Sequence, residues 1–211
     1  MSIERALMAT PKYATGPTVI GQAYGGGYYA GKISVAGNGV ASHYLIVAPK
    51  SSGENSSKEW KNATTNSAPT SVIDGPTNSS NMNNTSHPAA YFCEGLTIDG
   101  YSDWYMPAKN ELEVLYYFLK PTTGANNASG SNANAVSPEP ISTFYSSGSP
   151  AQTSAAAFQS GGAEAFAADV YWASTQTGAS SAWYQNFSNG AQGGDGKYYL
   201  HYVRAVRRIP V

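Results

Sequence analysis

The clearest helical period in the chain lies between two prolines, Pro107 and Pro121. Leu112, Leu115, Tyr116 and Leu119 recur there at i, i+3, i+4 and i+7, the stripe of a helix with one buried face. Pro107 sits at its start and Pro121 ends it. A second helix is predicted over "SHPAAYFCEGL", with Ser86 as cap, Pro88 near the first turn and Gly95 as stop. From about residue 170 the pattern changes. "VYWAST", "AWYQNFSNG" and "YYLHYVRAVRRI" alternate apolar and polar residues, and Asn-Gly and Gly-Gly-Asp-Gly between them read as turns of an antiparallel meander. Helices followed by a run of strands place the chain in the α+β class.

Upstream of the helices the signals are weaker. Residues 1–18 carry no clear period and contain Pro11 and Pro17, and they read as an extended arm that docks on a neighbour or on the body. "GGGYYAGKISV", a Gly-Asn-Gly turn at 37–39 and "HYLIVAP" form a β-hairpin. No Lys-Ser/Thr pair follows the three glycines, so close packing explains them better than a phosphate loop. Residues 50–87 are mostly Ser, Asn, Thr and Pro, with a short helix expected at "SSKEWKNA" and Trp60 as the anchor of a long excursion. Residues 122–168 read as surface loops. The expected organisation is an arm over 1–18, a hairpin and loop region over 19–84 packed on the body, and a compact domain over 85–211.

Charged residues are 12% of the 211, well below the roughly 25% typical of globular chains. Ser, Thr, Asn, Gly and Tyr replace them, and 16 Tyr against 6 Phe suits a contact surface. The net charge of −1 leaves no footprint for nucleic acid, since Arg204, Arg207 and Arg208 are the only basic cluster. Cys93, alone and in the apolar "AAYFCEGL", can form no internal disulfide and reads as a small buried hydrophobe. No apolar run approaches the roughly 18 residues of a membrane span, and the first residues lack the features of a secretory signal. Synthesis in a cytosol is the expectation, with no membrane insertion.

"GYSDWYMPAKNELEVLYYFL", "YWAST", "AWYQNFSNG" and "VRAVR", in that order, resemble the C-terminal domain of bacterial collagen-like adhesins, a domain that recurs in bacteriophage virion proteins. Asp103, Trp104, Pro107, Glu111 and Leu112 fill the family's Asp-Trp-x-x-Pro turn and Glu-Leu helix. Trp172, Ser174, Ala182, Trp183, Phe187, Val203, Arg204, Val206 and Arg207 fill its strand motifs. The resemblance runs over roughly 85–208. It implies a C-type-lectin-like fold, two helices packed on a small twisted antiparallel sheet, preceded here by the arm and hairpin. It also implies a non-enzymatic role. Trp104 and Trp172 would then fill the core, while Arg204 and Arg207 pair with Asp103 or Glu111 to lock sheet to helix.

An enzyme is not favoured by the residues. A sulfatase-activating family of this general fold uses cysteines, and here there is only Cys93; His43, His87 and His201 accompany no G-x-S-x-G turn. The Glu-Pro-Asn and Trp-Asn-Asp signatures of calcium-dependent lectins are absent, and no metal or cofactor is implied. A binding protein explains more. On a strand, Trp183, Gln185 and Phe187 share one face and Tyr184, Asn186 and Ser188 the other. The candidates for ligand or partner contact are Tyr184, Asn186, Gln192, Asp195, Tyr198, Tyr199 and His201. Residues 175–202 also resemble variable regions diversified by retroelements. The resulting expectation is a virion structural protein on the head surface or tail, made in the host cytoplasm. Its expected partners are other virion proteins, through the arm, and a glycan or protein of a host surface. A homo-oligomer is expected, with a trimer as the form that spikes favour. The alternatives are a bacterial cell-surface adhesin or a retroelement-diversified ligand-binding protein.

Overall fold

A computed structural model of the chain describes residues 16–128 and 145–211, so most of the expected arm, residues 1–15, lies outside the described residues. Gly25 and Gly26, both at positive φ, turn β1 (Ala23–Tyr24) into β2 (Gly27–Ile33). Gly37 and Gly39, also at positive φ, lie in the loop that returns the chain as β3 (His43–Val47), antiparallel to β2. One helical turn, α1 (Lys50–Gly53), leads into β4 (Glu54–Glu59). The helix expected at "SSKEWKNA" is therefore mostly a strand. Ser and Asn compete poorly for helix, and a partner strand decides the matter.

Three further helices follow. In α2 (Gly75–Ser80), unforeseen in the sequence, the Asp74 carboxylate accepts the Thr77 N–H. Next comes α3 (Pro88–Glu94), whose N-cap is His87 and not Ser86. The longest, α4 (Lys109–Leu119), starts two residues after Pro107. Alanine at its N-cap offers no acceptor, so only the reciprocal half of a capping box forms: the Glu111 carboxylate accepts the Ala108 N–H at 2.9 Å. The last third holds β5 (Val170–Gln176), β6 (Ser181–Asn186), β7 (Gln192–Gly196), β8 (Leu200–Arg204) and β9 (Val206–Pro210).

Nine strands among the described residues form two sheets, in the orders β1-β2-β3-β9 and β4-β8-β5-β6-β7, and the class is mixed α+β. The single meander expected after residue 170 is not what forms. Gly-Gly-Asp-Gly is strand β7, paired residue for residue with β6, and none of its glycines takes a positive φ. Instead β8 crosses to the far side of β5, beside it in parallel at Tyr171–Tyr202 and antiparallel to β4. "YYLHYVRAVRRI" is divided at Ala205, whose N–H donates to the Gly53 carbonyl and whose carbonyl accepts the Ala48 N–H, both at 2.9 Å. Beyond it β9 joins β3 in the other sheet.

The core has two parts. Leu112, Leu115, Tyr116 and Leu119 of α4 pack with Phe158, Phe166, Tyr171 and Phe187. Trp60, Trp104, Trp172, Met82 and Cys93 form the second part, with α2 and α3 against the sheet. Each of these indoles donates its N–H to a carbonyl: Trp60 to Ala173, Trp172 to Lys58 and Trp104 to Tyr101, at 2.8–3.0 Å. Tyr145, Phe158 and Phe166 come from the stretch read as surface loop. Isolated aromatics in a low-complexity segment carry no period, and only the space they fill marks them as core.

One core position works against stability. Gln185 is fully buried, and neither atom of its amide finds a hydrogen-bond partner. A buried unmet amide costs roughly 1–3 kcal/mol. Gln185→Leu, of similar bulk, is therefore expected to raise the urea midpoint with an unchanged m-value. A lower midpoint would show that ordered water meets the amide.

Candidate functional site

The motif residues build the frame behind the site. Arg204 is 1% exposed. Its Nη2 lies 2.6 Å from Glu164 Oε2, its Nη1 3.7 Å from Glu54, and its Nε donates to the Ala48 carbonyl, with Phe166 facing the guanidinium. It does not pair with Asp103 or Glu111. Arg207 makes the two parallel bonds of a guanidinium–carboxylate fork to Asp103, at 2.7 and 2.8 Å, and stacks on Tyr101. Arg208, unassigned in the sequence, takes Glu111 at 2.8 Å and the Ile73 carbonyl at 2.7 Å. Burial raises the Glu111 carboxyl, against the pull of Arg208 and the hydroxyl of Tyr105 at 2.6 Å. Alternation along strands explains the division of partners: Arg204 lies on β8, while Arg207 and Arg208 are consecutive on β9 and leave it on opposite sides. Pro107 offers its carbonyl to the Ser174 N–H, joining the turn before α4 to β5.

Five of the seven contact candidates converge at one end of the five-stranded sheet. His201 Nε2 lies 2.9 Å from Asp195 Oδ2, its ring is 4.4 Å from that of Trp172, and Tyr184 and Tyr199 stand 6.4 and 6.3 Å away. Tyr198 and Tyr199 contact each other at 4.5 Å and are about half exposed, as is Leu200. The remaining two are elsewhere. Asn186 accepts the Ser188 N–H and hydroxyl in the turn after β6, while Gln192 faces Gln185 across the β6–β7 ladder. Trp183, placed by alternation on the same strand face as Phe187, is only partly buried and carries the Lys109 ammonium 4.8 Å from its ring, whereas Phe187 is fully buried.

A groove beside this cluster escaped the sequence reading. Lys58, Thr85, Pro88, Tyr91, Phe92 and Leu96 line an open cavity of about 510 Å³. Lys58 connects the two, since it is the register partner of His201 and its ammonium lies 5.8 Å from the Phe92 ring. Helical spacing was the signal that could have found it: with Ala89, Ala90 and Cys93 buried, α3 must turn Tyr91 outward. The pairing of Lys58 with His201, by contrast, has no local trace.

Another cluster has the connectivity of a hydrolase relay. Ser67 Oγ lies 2.9 Å from His87 Nε2, and His87 Nδ1 lies 2.9 Å from Asn84 Oδ1. Its electrostatics disfavour a charged imidazole there. Lys61 and Lys197 are buried nearby, their ammonium groups held by backbone carbonyls, the Ser67 hydroxyl and the Gln176 amide, and neither makes an ion pair among the described residues. Burial first, then these two charges, pushes the His87 imidazole down to about 4. A serine hydrolase must form an imidazolium at that position. The same burial, reinforced by Lys61, lowers Lys197 to about 8. Cys93 offers no alternative, because full burial raises its thiol well above the ordinary range.

His87 also carries a pH prediction. Its folded value lies below the unfolded 6.5, so its neutral form is favoured by folding. That stability is full above about 6.5 and is lost as pH falls towards about 4, on the order of 2–3 kcal/mol. Urea titrations across this window should show a shallower acid decline for His87→Gln than for the unsubstituted chain. Parallel declines would remove His87 as the cause.

Arg204, Arg207 and Asp103 of the frame and the residues that form the face fall within one recognisable sequence unit, which ends just before Arg208. The sequence model of the Lcl C-terminal domain matches residues 53–207, and no curated protein matches the chain. The match begins at the end of α1 and spans β4 through the Arg207 pair, well over half of the chain, so the chain belongs to the Lcl C-terminal domain family, an adhesin-like domain.

Proposed function

We propose that this chain is a non-enzymatic binding module displayed on a bacteriophage particle, with its contact face formed by Tyr184, Asp195, Tyr198, Tyr199 and His201. The observation that carries this reading is the cluster itself. Rings, an imidazole and a carboxylate converge at the open end of a sheet whose opposite face is packed, beside the Tyr91–Phe92 groove. Aromatic faces and adaptable polar groups suit recognition of a glycan or a protein surface. The disfavoured imidazolium at His87 and the inert Cys93 thiol support a role without chemistry. The mixed α+β class is compatible with a lectin-like fold, and membership in an adhesin-like family supports adhesion. Resemblance to domains carried by virion proteins supports the particle as its location.

Immunogold microscopy of particles with antibody against residues 170–211 tests the location, and adsorption of particles carrying Tyr198→Ala and Tyr199→Ala tests the face. Label at a tail tip with impaired adsorption agrees with the proposal. Label on cells and none on particles would transfer the protein to the second reading, a bacterial cell-surface adhesin, which membership in an adhesin-like family supports. Undiminished adsorption of the double variant would remove the face.

A further inference from the structure

The two sheets have four edges, and three are guarded. β1 is two residues long. β4 carries Glu54, Lys58 and Glu59 and is irregular between Asn55 and Lys58. β9 bears two arginines and is bridged at Val206 by Tyr105. Short edges, charges, bulges and covering segments are the ordinary devices that stop sheets from pairing with other chains. Among the described residues, β7 is neither short nor bulged nor covered by another segment. Its sequence is Gln-Gly-Gly-Asp-Gly, it pairs regularly with β6 over its whole length, and its single charge is turned back onto His201.

The phase of the ladder shows what this edge offers. Asn186 N–H donates to the Ala191 carbonyl and Lys197 N–H to that of Ser180. Hydrogen-bonded pairs alternate along an antiparallel ladder, so Gly193 and Asp195 point their backbone groups at β6 while Gln192, Gly194 and Gly196 point theirs outward. Gly196 is satisfied locally, its N–H by Asp195 and its carbonyl by the Tyr199 N–H. Gln192 and Gly194 remain, each with an outward N–H and carbonyl.

We infer that β7 pairs with β7 of a second copy of this chain, antiparallel and about a twofold axis at Gly193. In that register Gln192 lies opposite Gly194 of the second copy, so all the outward groups of both residues are met. Asp195 falls opposite Ala191, and no charge meets a like charge across the seam. Glycine on both faces of the edge lets the backbones approach without displacing side chains. The exposed ridge Tyr198–Leu200 adds apolar surface beside the seam, since the rings of Tyr198 and Tyr199 already lie over Gly196. A twofold axis normal to the sheet turns the His201 faces of both copies to the same side. Two weak contact faces then act together, with the gain in avidity that linkage confers.

Gly194→Pro is the discriminating substitution. It removes an outward N–H and leaves the bonds to β6 intact, and the nearest neighbour of a Cβ at this position is the exposed Thr177 side chain. Sedimentation velocity on the full chain over a concentration series should show a reversible dimer whose dissociation constant rises at least tenfold in Gly194→Pro, with an unchanged far-ultraviolet spectrum. Hydrogen exchange on the unsubstituted chain gives a second reading: the Gly194 amide should be protected at high concentration and exchange freely at low concentration. A chain that is monomeric up to about 1 mM, a dimer or trimer equally stable in Gly194→Pro, or a Gly194 amide that exchanges at the same rate at both concentrations would each overturn the inference.

Discussion

Arg204→Met lowers folding stability by about 3–5 kcal/mol, measured as the shift in a urea transition. Methionine keeps most of the aliphatic bulk, so little of this loss comes from packing. It comes from what remains behind. Glu164 and Glu54, both largely buried, lose the guanidinium that faces them, and the carbonyls of Ala48 and Glu164 lose their donors. The pair as a whole need not be strongly stabilising, because burial opposes each charge and lowers the Arg204 value itself. Removing one partner is the costly operation. Two consequences distinguish this account from a simple cavity. Adding Glu164→Gln to Arg204→Met should recover part of the loss, since one stranded charge disappears. Burial also holds the Glu54 carboxyl above its ordinary range, so lowering the pH protonates it in the variant and narrows the gap to the unsubstituted chain. A gap that is constant with pH, and a double variant no more stable than the single one, would show that packing alone is at stake.

Phe187→Ala is the second large effect, at about 3–5 kcal/mol. Phe187 is fully buried and stacks on Phe166 with centroids 4.1 Å apart, and it also meets Tyr171 at 4.8 Å and Tyr116 at 5.6 Å. It therefore joins the end of β6 to α4, to β5 and to the stretch before β5. Truncation opens a cavity between rings that cannot collapse, because each is held by other contacts; the Tyr171 hydroxyl, for one, donates to Glu54 at 3.0 Å. For a chain of this size the loss corresponds to roughly 10 °C in the melting temperature. Phe187→Leu should lose less than half as much. Because Phe187 precedes the turn that leads to β7, the contact face should also weaken with it, whereas Gln185→Leu, two residues away on the same face, should leave binding unchanged.

How far these effects were legible in the sequence differs residue by residue. The stripe of α4 was readable because a period of 3.6 is a local property of the chain. The asparagine–glycine turn at 189–190 was readable for the same reason, and Gly190 does take a positive φ. Gly-Gly-Asp-Gly was misread because the same glycines that permit a turn also permit a flat edge strand. Only the neighbouring β6, paired at every residue, decides between them. The helix expected over "SSKEWKNA" failed similarly, since β4 exists by virtue of β8, some 145 positions away. Arg204 shows the limit most plainly. Its partner Glu164 lies in a segment with no pattern at all, and an ion pair between distant residues leaves no mark on either one's neighbours.

In the contact face, the tyrosines and the histidine were visible as residue types suited to recognition, but their grouping was not. Asn186 and Gln192 share a sequence neighbourhood with Tyr184 and Asp195 yet stand at the other end of a hairpin. Lys58 and Phe92 come from remote segments and line the adjacent groove. Residue chemistry, local period and turn propensity are properties of short windows, and these the sequence by itself determined: the α+β class, the one long helix, the core positions of Trp104 and Trp172, and the membership in an adhesin-like family. Only the tertiary structure decided that two sheets form, that β8 crosses over to lie between β4 and β5, which carboxylate each arginine takes, and that β7 is left as an unguarded edge. Each of those outcomes depends on strand pairing and burial between segments far apart in the chain, and such pairings are chosen by the packing of the whole.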